Sequence, residues 1–500
     1  MPEVHVGPTP YSTGAGHCRG TLQYPTGTGT GAGTGTGTGT VPAPGPRYIT
    51  GTVHQTDVIG ASGENGPGAM TMPSRAELHA SMRAAAEAAV RYQHANGAAK
   101  CDYHVVEGAW YDYERLWHTG QLIGALLAVG AALNDARWLP AATSAGNWMV
   151  EQSISAPSSL NGLLNSTDVN SNGHGCITDA CDGVQVMSDV GDANGPLFEL
   201  SKRTGNASYA KAGVASAVWQ AAHMGVPGQP GLYYAALNKS ATPPVPFMPA
   251  AGSEYGYTLS DIEGSLFLHA CNAAQMPHLC TAFMAQADAT VRAQDAHGLW
   301  LQWPPNDAAT GRFHPRFNLW YASSLVDAHD HAAGTSSPRQ TAYLAAAART
   351  LATYAAAQEA SGTIWYWNAL NTSTGQITSD KSDVTGSGTA FLALVSMRIL
   401  QRGGGNATLL RSVVGRSISF VVANQYSPTH PDLTLRGAYF ELGFRKLAKY
   451  ISHHKRAVIH RDIGTFFGLQ ALAAYDAFCT DPSTRGPDIC HADYMVHRSP

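Results

Sequence analysis

Charge is scarce in this chain. Only 13% of its 500 residues are Asp, Glu, Lys or Arg, against a usual share of about 25%, and the formal net charge at pH 7 is -4. Without a basic excess there is no case for nucleic acid as a partner. Long apolar runs are missing as well: no stretch reaches the roughly 18 residues needed to cross a bilayer, so no membrane span is expected. The eight cysteines contain no CxxC pair and no metal-type spacing, which removes the common zinc arrangements. No positively charged start leads into an apolar segment, so no signal peptide is read. What the chain has in place of charge is 53 glycines and 28 prolines, the composition of abundant polar, neutral loops.

Residues 1–70 include a Thr-Gly alternation at 26–40, followed by Val41-Pro42-Ala43-Pro44-Gly45-Pro46. Nothing there buries enough surface to offset ordering entropy, so the segment is expected to be a disordered leader or linker. Thr-rich, Pro-containing segments can carry O-linked sugars; a repeat expansion without a role fits equally well.

From 71 to 478 the patterning changes to twelve amphipathic helical stretches in series. One set, at 75–93, 209–223, 341–358 and 409–423, carries Lys or Arg and a narrow apolar stripe, as a layer facing water should. The other set is apolar nearly all round and opens on related phrases: Ser188-Asp189-Val190-Gly191, Ser260-Asp261-Ile262-Glu263-Gly264, Ser382-Asp383-Val384-Thr385-Gly386 and Arg461-Asp462-Ile463-Gly464. Six stacked hairpins of this kind predict an all-α fold, an (α/α)6 toroid with a disordered Thr/Gly-rich N-terminal segment. The inner helices of such a ring run parallel, so their starts share one face and side chains there converge. Residues 479–500 are read as a tail held by a disulfide.

Close spacing suggests disulfides Cys176–Cys181, Cys271–Cys280 and Cys479–Cys490, leaving Cys18 and Cys101; the pairing rests on proximity alone, since eight cysteines allow about 105 arrangements. N-x-S/T sequons stand at Asn165, Asn206, Asn238, Asn371 and Asn406, in loops or before outer helices where a glycan would reach solvent. Cysteines and sequons together point to an extracellular or secretory-pathway setting. The loop Asp168-x-Asn170-x-Asn172-Gly173, with Asp179 at its twelfth position, has the spacing by which oxygen ligands wrap calcium. It is a candidate structural calcium site, although Asn, Asp and Gly also form Asx-turns unaided. No other cofactor is expected, and no oligomeric state follows from the sequence.

The chemistry is expected at the open face. Asp112, Glu114 and His118 mark the first inner helix, Asp189 and Asp192 the second, Asp261 and Glu263 the third, Arg316 and Asn318 the fourth, Asp383 the fifth, and Arg461 and Asp462 the sixth. Acids, arginines and the tryptophans Trp117, Trp300, Trp303, Trp320, Trp365 and Trp367 suit a sugar bearing a carboxylate, since rings stack on indole and guanidinium grips an acid in bidentate fashion. A blander account is that Ser-Asp before an apolar helix is an N-cap.

The order of these phrases resembles that of the unsaturated glycuronyl hydrolases of glycoside hydrolase families eighty-eight and one hundred and five, which are six-hairpin toroids. Ser188-Asp189, Pro196-Leu197 and Thr204-Gly205-Asn206 through Tyr209 are similar to the segment with the family's first active-site Asp. Leu259-Ser260-Asp261 and Gly298-Leu299-Trp300 are similar to the segment with its general acid and base. Arg316-Phe317-Asn318-Leu319-Trp320-Tyr321 resembles the R-G-N-G-W phrase, and Gly362-Thr363-Ile364-Trp365-Tyr366 and Thr385-Gly386-Ser387-Gly388-Thr389-Ala390 resemble its G-L-W and S-A-T-A phrases. Phe317 and Leu319 replace both glycines, His314 stands where an aromatic ring is usual, and Gln302 sits near the place of a substrate-contacting His.

The resemblance implies a glycoside hydrolase acting on uronic-acid-containing oligosaccharides. It assigns Asp261 and Asp189 as catalytic and Arg316, Asn318, Trp320, Trp300, His314 and His118 as substrate-binding. In that chemistry Asp261 protonates C4 of a 4,5-unsaturated uronic acid and activates the water that adds at C5, and the hemiketal opens. A conventional inverting glycosidase on the same toroid, and a toroid that binds glycan without turnover, remain as alternatives.

Overall fold

Helices too apolar to face water on any side need a shell of others around them, and the chain supplies both kinds in alternation. In the computed structural model the described residues are 72–105, 108–110, 115–165, 184–239, 241, 243–246, 258–333, 338–445 and 457–495. They contain twelve α-helices: α1 (Arg75–Arg91), α2 (Arg115–Ala132), α3 (Leu139–Glu151), α4 (Met187–Thr204), α5 (Ala207–His223), α6 (Leu266–Ala274), α7 (Pro277–Ala293), α8 (Phe317–His331), α9 (Pro338–Ala357), α10 (Gly386–Leu400), α11 (Ala407–Ala423) and α12 (Asp462–Thr480). Even-numbered helices form the inner layer and odd-numbered ones the outer, as each helix's burial shows. Of the 19 residues of α12, fifteen are buried, whereas α1 buries seven of 17 along one stripe.

The inner layer packs in sequence around the ring: α2 on α4, α4 on α6, the 3-10 turn that leads into α6 on α8, α8 on α10, α10 on α12, and α12 back on α2. The expected (α/α)6 toroid is therefore closed. The seam is sewn by Asp476 of α12, which accepts from Arg75 of α1 at 3.1 Å and from the Tyr494 hydroxyl at 2.7 Å. Asp493 of the tail accepts from the Arg75 backbone N–H at 2.7 Å. The Cys479–Cys490 disulfide ties that tail to the end of α12, and Cys271–Cys280 joins α6 to α7. Both bridges match the expected pairing; Cys18, Cys176 and Cys181 lie outside the described residues, as do the leader and the candidate calcium ligands Asp168, Asn170, Asn172 and Asp179. Cys101 is buried.

Three of the outer helices begin on side-chain caps. Ser74 and Glu77 form a reciprocal capping box on α1, and Asn206 and Asn406 cap α5 and α11, each satisfying amides that a helix start leaves unpaired. Both asparagines are exposed sequon residues, as is Asn371, while Asn165 and Asn238 are half-buried.

The helical pattern did not foretell the strands. Every strand lies on a link from an outer helix to the following inner one, on the face where inner helices start. Seven of them form an antiparallel sheet in the order β2 (Ala109–Trp110), β1 (Tyr103–His104), β12 (Ala457–His460), β11 (Leu442–Arg445), β10 (Ile377–Thr385), β9 (Ile364–Leu370) and β8 (Arg312–Phe313). A second sheet joins β3 (Val184–Val186), β5 (Ala236–Asn238) and β6 (Val245–Pro246), and β4 (Tyr233–Tyr234) pairs with β7 (Thr258–Leu259). Most are two to four residues long, too short for an alternation to show. Trp365 and Trp367 belong to β9.

Candidate active site

The Ser-Asp phrases do not act as N-caps where their side chains are described. Helix α10 is capped by Thr385, which accepts from Gly388 N–H, leaving Ser382 and Asp383 within β10. Asp261 precedes the 3-10 turn Glu263–Ser265, and α6 begins only at Leu266 with no side-chain cap. Asp462 and Asp189 sit in the first turns of their helices, α12 and α4. Asp261 is thus available for something other than capping.

Its backbone reinforces that view. Asp261 adopts φ +50, Gly264 φ +69 and Ser265 φ +51, three left-handed residues within five, a conformation that costs a non-glycine residue of order 1 kcal/mol and is kept where surrounding structure demands it. The demand comes from α4. A Cβ on Gly264 would lie 2.5 Å from Asp192 Cα, and one on Gly191 would lie 3.1 Å from the Glu263 carbonyl oxygen. The start of α4, which carries Asp189, therefore rests directly against the turn that carries Asp261. Gln286 of α7 holds this turn from outside by donating to the Asp261 carbonyl at 3.0 Å.

Three carboxyls meet here. Asp261 is 6% exposed and Glu263 is 2% exposed. Asp192 is half-buried and accepts from the Trp117 indole N–H at 2.6 Å and from the Gln121 amide at 2.7 Å. Burial holds the Glu263 proton well above the usual carboxylate range; repulsion by Asp261 and, more weakly, by Asp192 acts the same way, with the Tyr321 hydroxyl and a backbone N–H opposing in part. Burial and the Asp261 charge push the Tyr233 hydroxyl up to about 12. A buried acid that holds its proton beside other carboxyls is the raw material of general acid and base chemistry.

Across Trp117 stands the cationic half. Arg316, at the start of α8 and 3% exposed, donates through Nη1 to Ser387 Oγ at 2.6 Å and to Glu441 Oε1 at 3.3 Å, and Glu441 Oε2 accepts from Ser387 N–H at 2.6 Å. The Arg316 Nε is buried without a hydrogen bond. Its guanidinium lies 5.7 Å from the Trp117 ring and 5.9 Å from those of Trp320 and Tyr366, an aromatic cage that favours a cation. Beneath, Trp117, Trp320, Phe391 and Phe467 from four inner helices pack edge-on and tilted at 5.2 to 6.4 Å, closing the axis of the ring.

The remaining predicted residues divide. His314 Nε2 meets the Tyr366 hydroxyl at 3.1 Å and His314 Nδ1 accepts from Arg316 N–H at 3.1 Å, so it orients the arginine's neighbourhood. His118, expected as a substrate contact, is fully buried and its Nδ1 pairs with Asp462 at 2.8 Å, bracing α2 against α12. Burial alone would lower its pKa, but Asp462 and Cys101 outweigh that and raise it well above the ordinary value. Asn318 is likewise buried, accepting from Trp300 N–H at 3.1 Å and donating to the Tyr354 hydroxyl at 3.2 Å. Trp300 is buried too, its indole donating to the Thr290 carbonyl at 2.7 Å and its ring stacked on Trp303. Asn318 and Trp300 thus fix a loop through buried hydrogen bonds. Gln302 is exposed and donates to the Ala293 carbonyl.

Asp112 and Glu114 lie outside the described residues, and the side chains of Asp189 and Asp383 are not described. Glu441 carried no signal in the sequence, because it lies in a loop 125 residues from its partner Arg316. Among the described residues no group of three His, Cys, Asp or Glu is placed to hold a metal ion, and no helix is long and apolar enough to cross a membrane.

No protein-family model matches this chain, and no curated protein matches it in sequence. Its architecture does have counterparts among solved structures. A possible member of the GH105 family from Klebsiella pneumoniae superposes with a TM-score of 0.53 at 13% identity, covering 81% of this chain and 94% of its own. The unsaturated glucuronyl hydrolase of Bacillus sp. GL1, described as responsible for degrading glycosaminoglycan, gives 0.53 at 11% identity and covers 84% and 99%. That from Streptococcus agalactiae gives 0.53 at 10% identity and covers 87% and 98%. The chain shares the six-hairpin toroid of these proteins.

Proposed function

We propose that this protein is a glycoside hydrolase acting on uronic-acid-containing oligosaccharides, hydrating a 4,5-unsaturated glycuronyl end. The observation that carries the reading is the pairing, on the inner-helix face, of a strained, buried carboxyl turn at Asp261 with a caged arginine at Arg316, the two halves joined by Trp117. The solved unsaturated glucuronyl hydrolases with the same toroid support it. Asp261 would deliver a proton to C4, and Asp189, on the helix pressed against its turn, would orient the water that adds to C5. Arg316 would receive the sugar carboxylate, with Trp320 beneath the ring. The two disulfides and the exposed sequon residues Asn206, Asn371 and Asn406 support an extracellular or secretory setting.

One feature favours a second reading. Arg316 already has a carboxylate partner in Glu441, so the cage is close to neutral, as a conventional inverting glycosidase on an uncharged sugar would require. Lyase-generated unsaturated oligosaccharides, followed by loss of the conjugated ultraviolet absorbance, separate the two. Turnover is expected in the parent and should fall about 10²–10⁴-fold in Asp261→Asn, the usual range for losing a general acid. Turnover of saturated substrates instead selects the second reading, and full activity in Asp261→Asn removes the assignment.

A further inference from the structure

The proposed reaction needs a carboxyl that gives up a proton near neutral pH, yet a carboxyl among helix starts is pulled toward ionisation. The fold places an acid beside it that the mechanism above does not use. Glu263 follows Asp261 by two residues on the left-handed turn, is 2% exposed, and has both carboxyl oxygens shut away from solvent. An acid so buried beside other carboxyls is costly to keep as a charge. The groups that face it are Asp261 on its own turn, Asp192 from α4 and Tyr321 from α8, with Tyr233 of β4 behind Asp261; none brings a positive charge. The close approach at Gly191 and Gly264 keeps α4 and the turn from separating to relieve the crowding.

Resting on the reading of Asp261 as general acid, we propose that Glu263 and Asp261 hold one proton between them, with Glu263 its resting seat and Asp261 the carboxyl that delivers it. Glu263 is then a positioning residue that arms its neighbour. The proton passes from Glu263 to the Asp261 carboxylate, and Asp261 gives it to C4 as the double-bond electrons form the new C–H bond. Water adds its oxygen to C5, and the proton it sheds returns to the carboxyl pair. One water has been added across the double bond and the pair again holds one proton. The burial and repulsion described above support Glu263 as the seat, and the two acids titrate as a pair.

The test combines two measurements on the full chain and on Glu263→Gln. An acid whose pKa is raised in the folded state contributes stability that is complete below its unfolded value near 4.5 and is lost as pH rises through the folded one. The thermal midpoint of the parent should therefore decline from pH 5 to 9 more steeply than that of Glu263→Gln. On unsaturated oligosaccharides kcat/KM of the variant should fall at least about tenfold at pH 7, and the alkaline limb of the parent's profile should be lost. Parallel stability curves overturn the proposal, as does an alkaline limb that survives in the variant. A parent inert on every unsaturated substrate, with diverging stability curves, instead removes the substrate reading and leaves the shared proton standing. Should Glu263→Gln fail to fold, Asp192→Asn replaces it: with one repelling charge gone, the decline in stability should end at a lower pH, and an unmoved curve overturns the proposal.

Discussion

Substituting Gly264 with alanine isolates the contact on which the site's geometry depends. The added Cβ would meet Asp192 Cα at 2.5 Å, the Gly191 carbonyl oxygen at 2.8 Å and Asp192 N at 3.0 Å, all of them backbone. Nothing flexible can yield, so α4 and the Asp261 turn must move apart. Two effects add. Holding alanine in the left-handed region costs about 1–2 kcal/mol, and forcing extra volume into a packed contact costs about 1–3 kcal/mol, together about 2–5 kcal/mol. Gly205 provides the internal control: at φ +71 with nothing within 4 Å of its Cβ position, Gly205→Ala carries the conformational cost alone. Urea titration of both variants should show Gly264→Ala the less stable by about 1–3 kcal/mol. Its kcat/KM should fall further as well, because displacing a catalytic group by about an ångström costs up to about 10²-fold. Equal losses in the two variants, within about 0.5 kcal/mol, would show that the approach of α4 to the turn does not constrain the site.

Two further outcomes follow from other parts of the molecule. Replacing Cys271 and Cys280 together by alanine opens a bridge of sequence separation 9 and should lower unfolding free energy in urea by about 2–3 kcal/mol; an unchanged midpoint refutes a stabilising role. Burial pushes His460 down to about 4, so its neutral form belongs to the folded state, and the stability it contributes is present above about 6.5 and lost as pH falls through about 4. His460→Gln should flatten the acid limb of the thermal midpoint across that window, and an identical limb counts against the assignment.

The toroid was legible because helical periodicity persists over many residues and recurs twelve times, so each hairpin reinforces the others. The Asp261 phrase was legible for the same reason, as one of several related helix openings. Asn318, Trp300 and His118 show where such reading stops. A polar or aromatic residue near a helix start has the same look whether it faces a ligand or a neighbouring helix, and only ring closure decides. His118 meets Asp462 across 344 positions, and Asp102 meets Arg461 across 359 at 3.0 Å. Glu441 was invisible because its meaning comes entirely from Arg316. Glu263 stood in plain view within a repeated phrase, but nothing in one sequence reveals that its carboxyl is shut away from water. Most of the rim strands escaped because two- to four-residue segments take their conformation from partners elsewhere in the chain.

The joint at Asp476 has a bearing on how the molecule comes apart. In an open array of hairpins the terminal units each lack one neighbour and fray first, so stability is graded from the ends inward. Here the first and last hairpins guard each other's flanks through Arg75, Asp476 and Tyr494, so no unit is an end. Such a hoop has no natural place to begin unravelling, and it should give way as a whole.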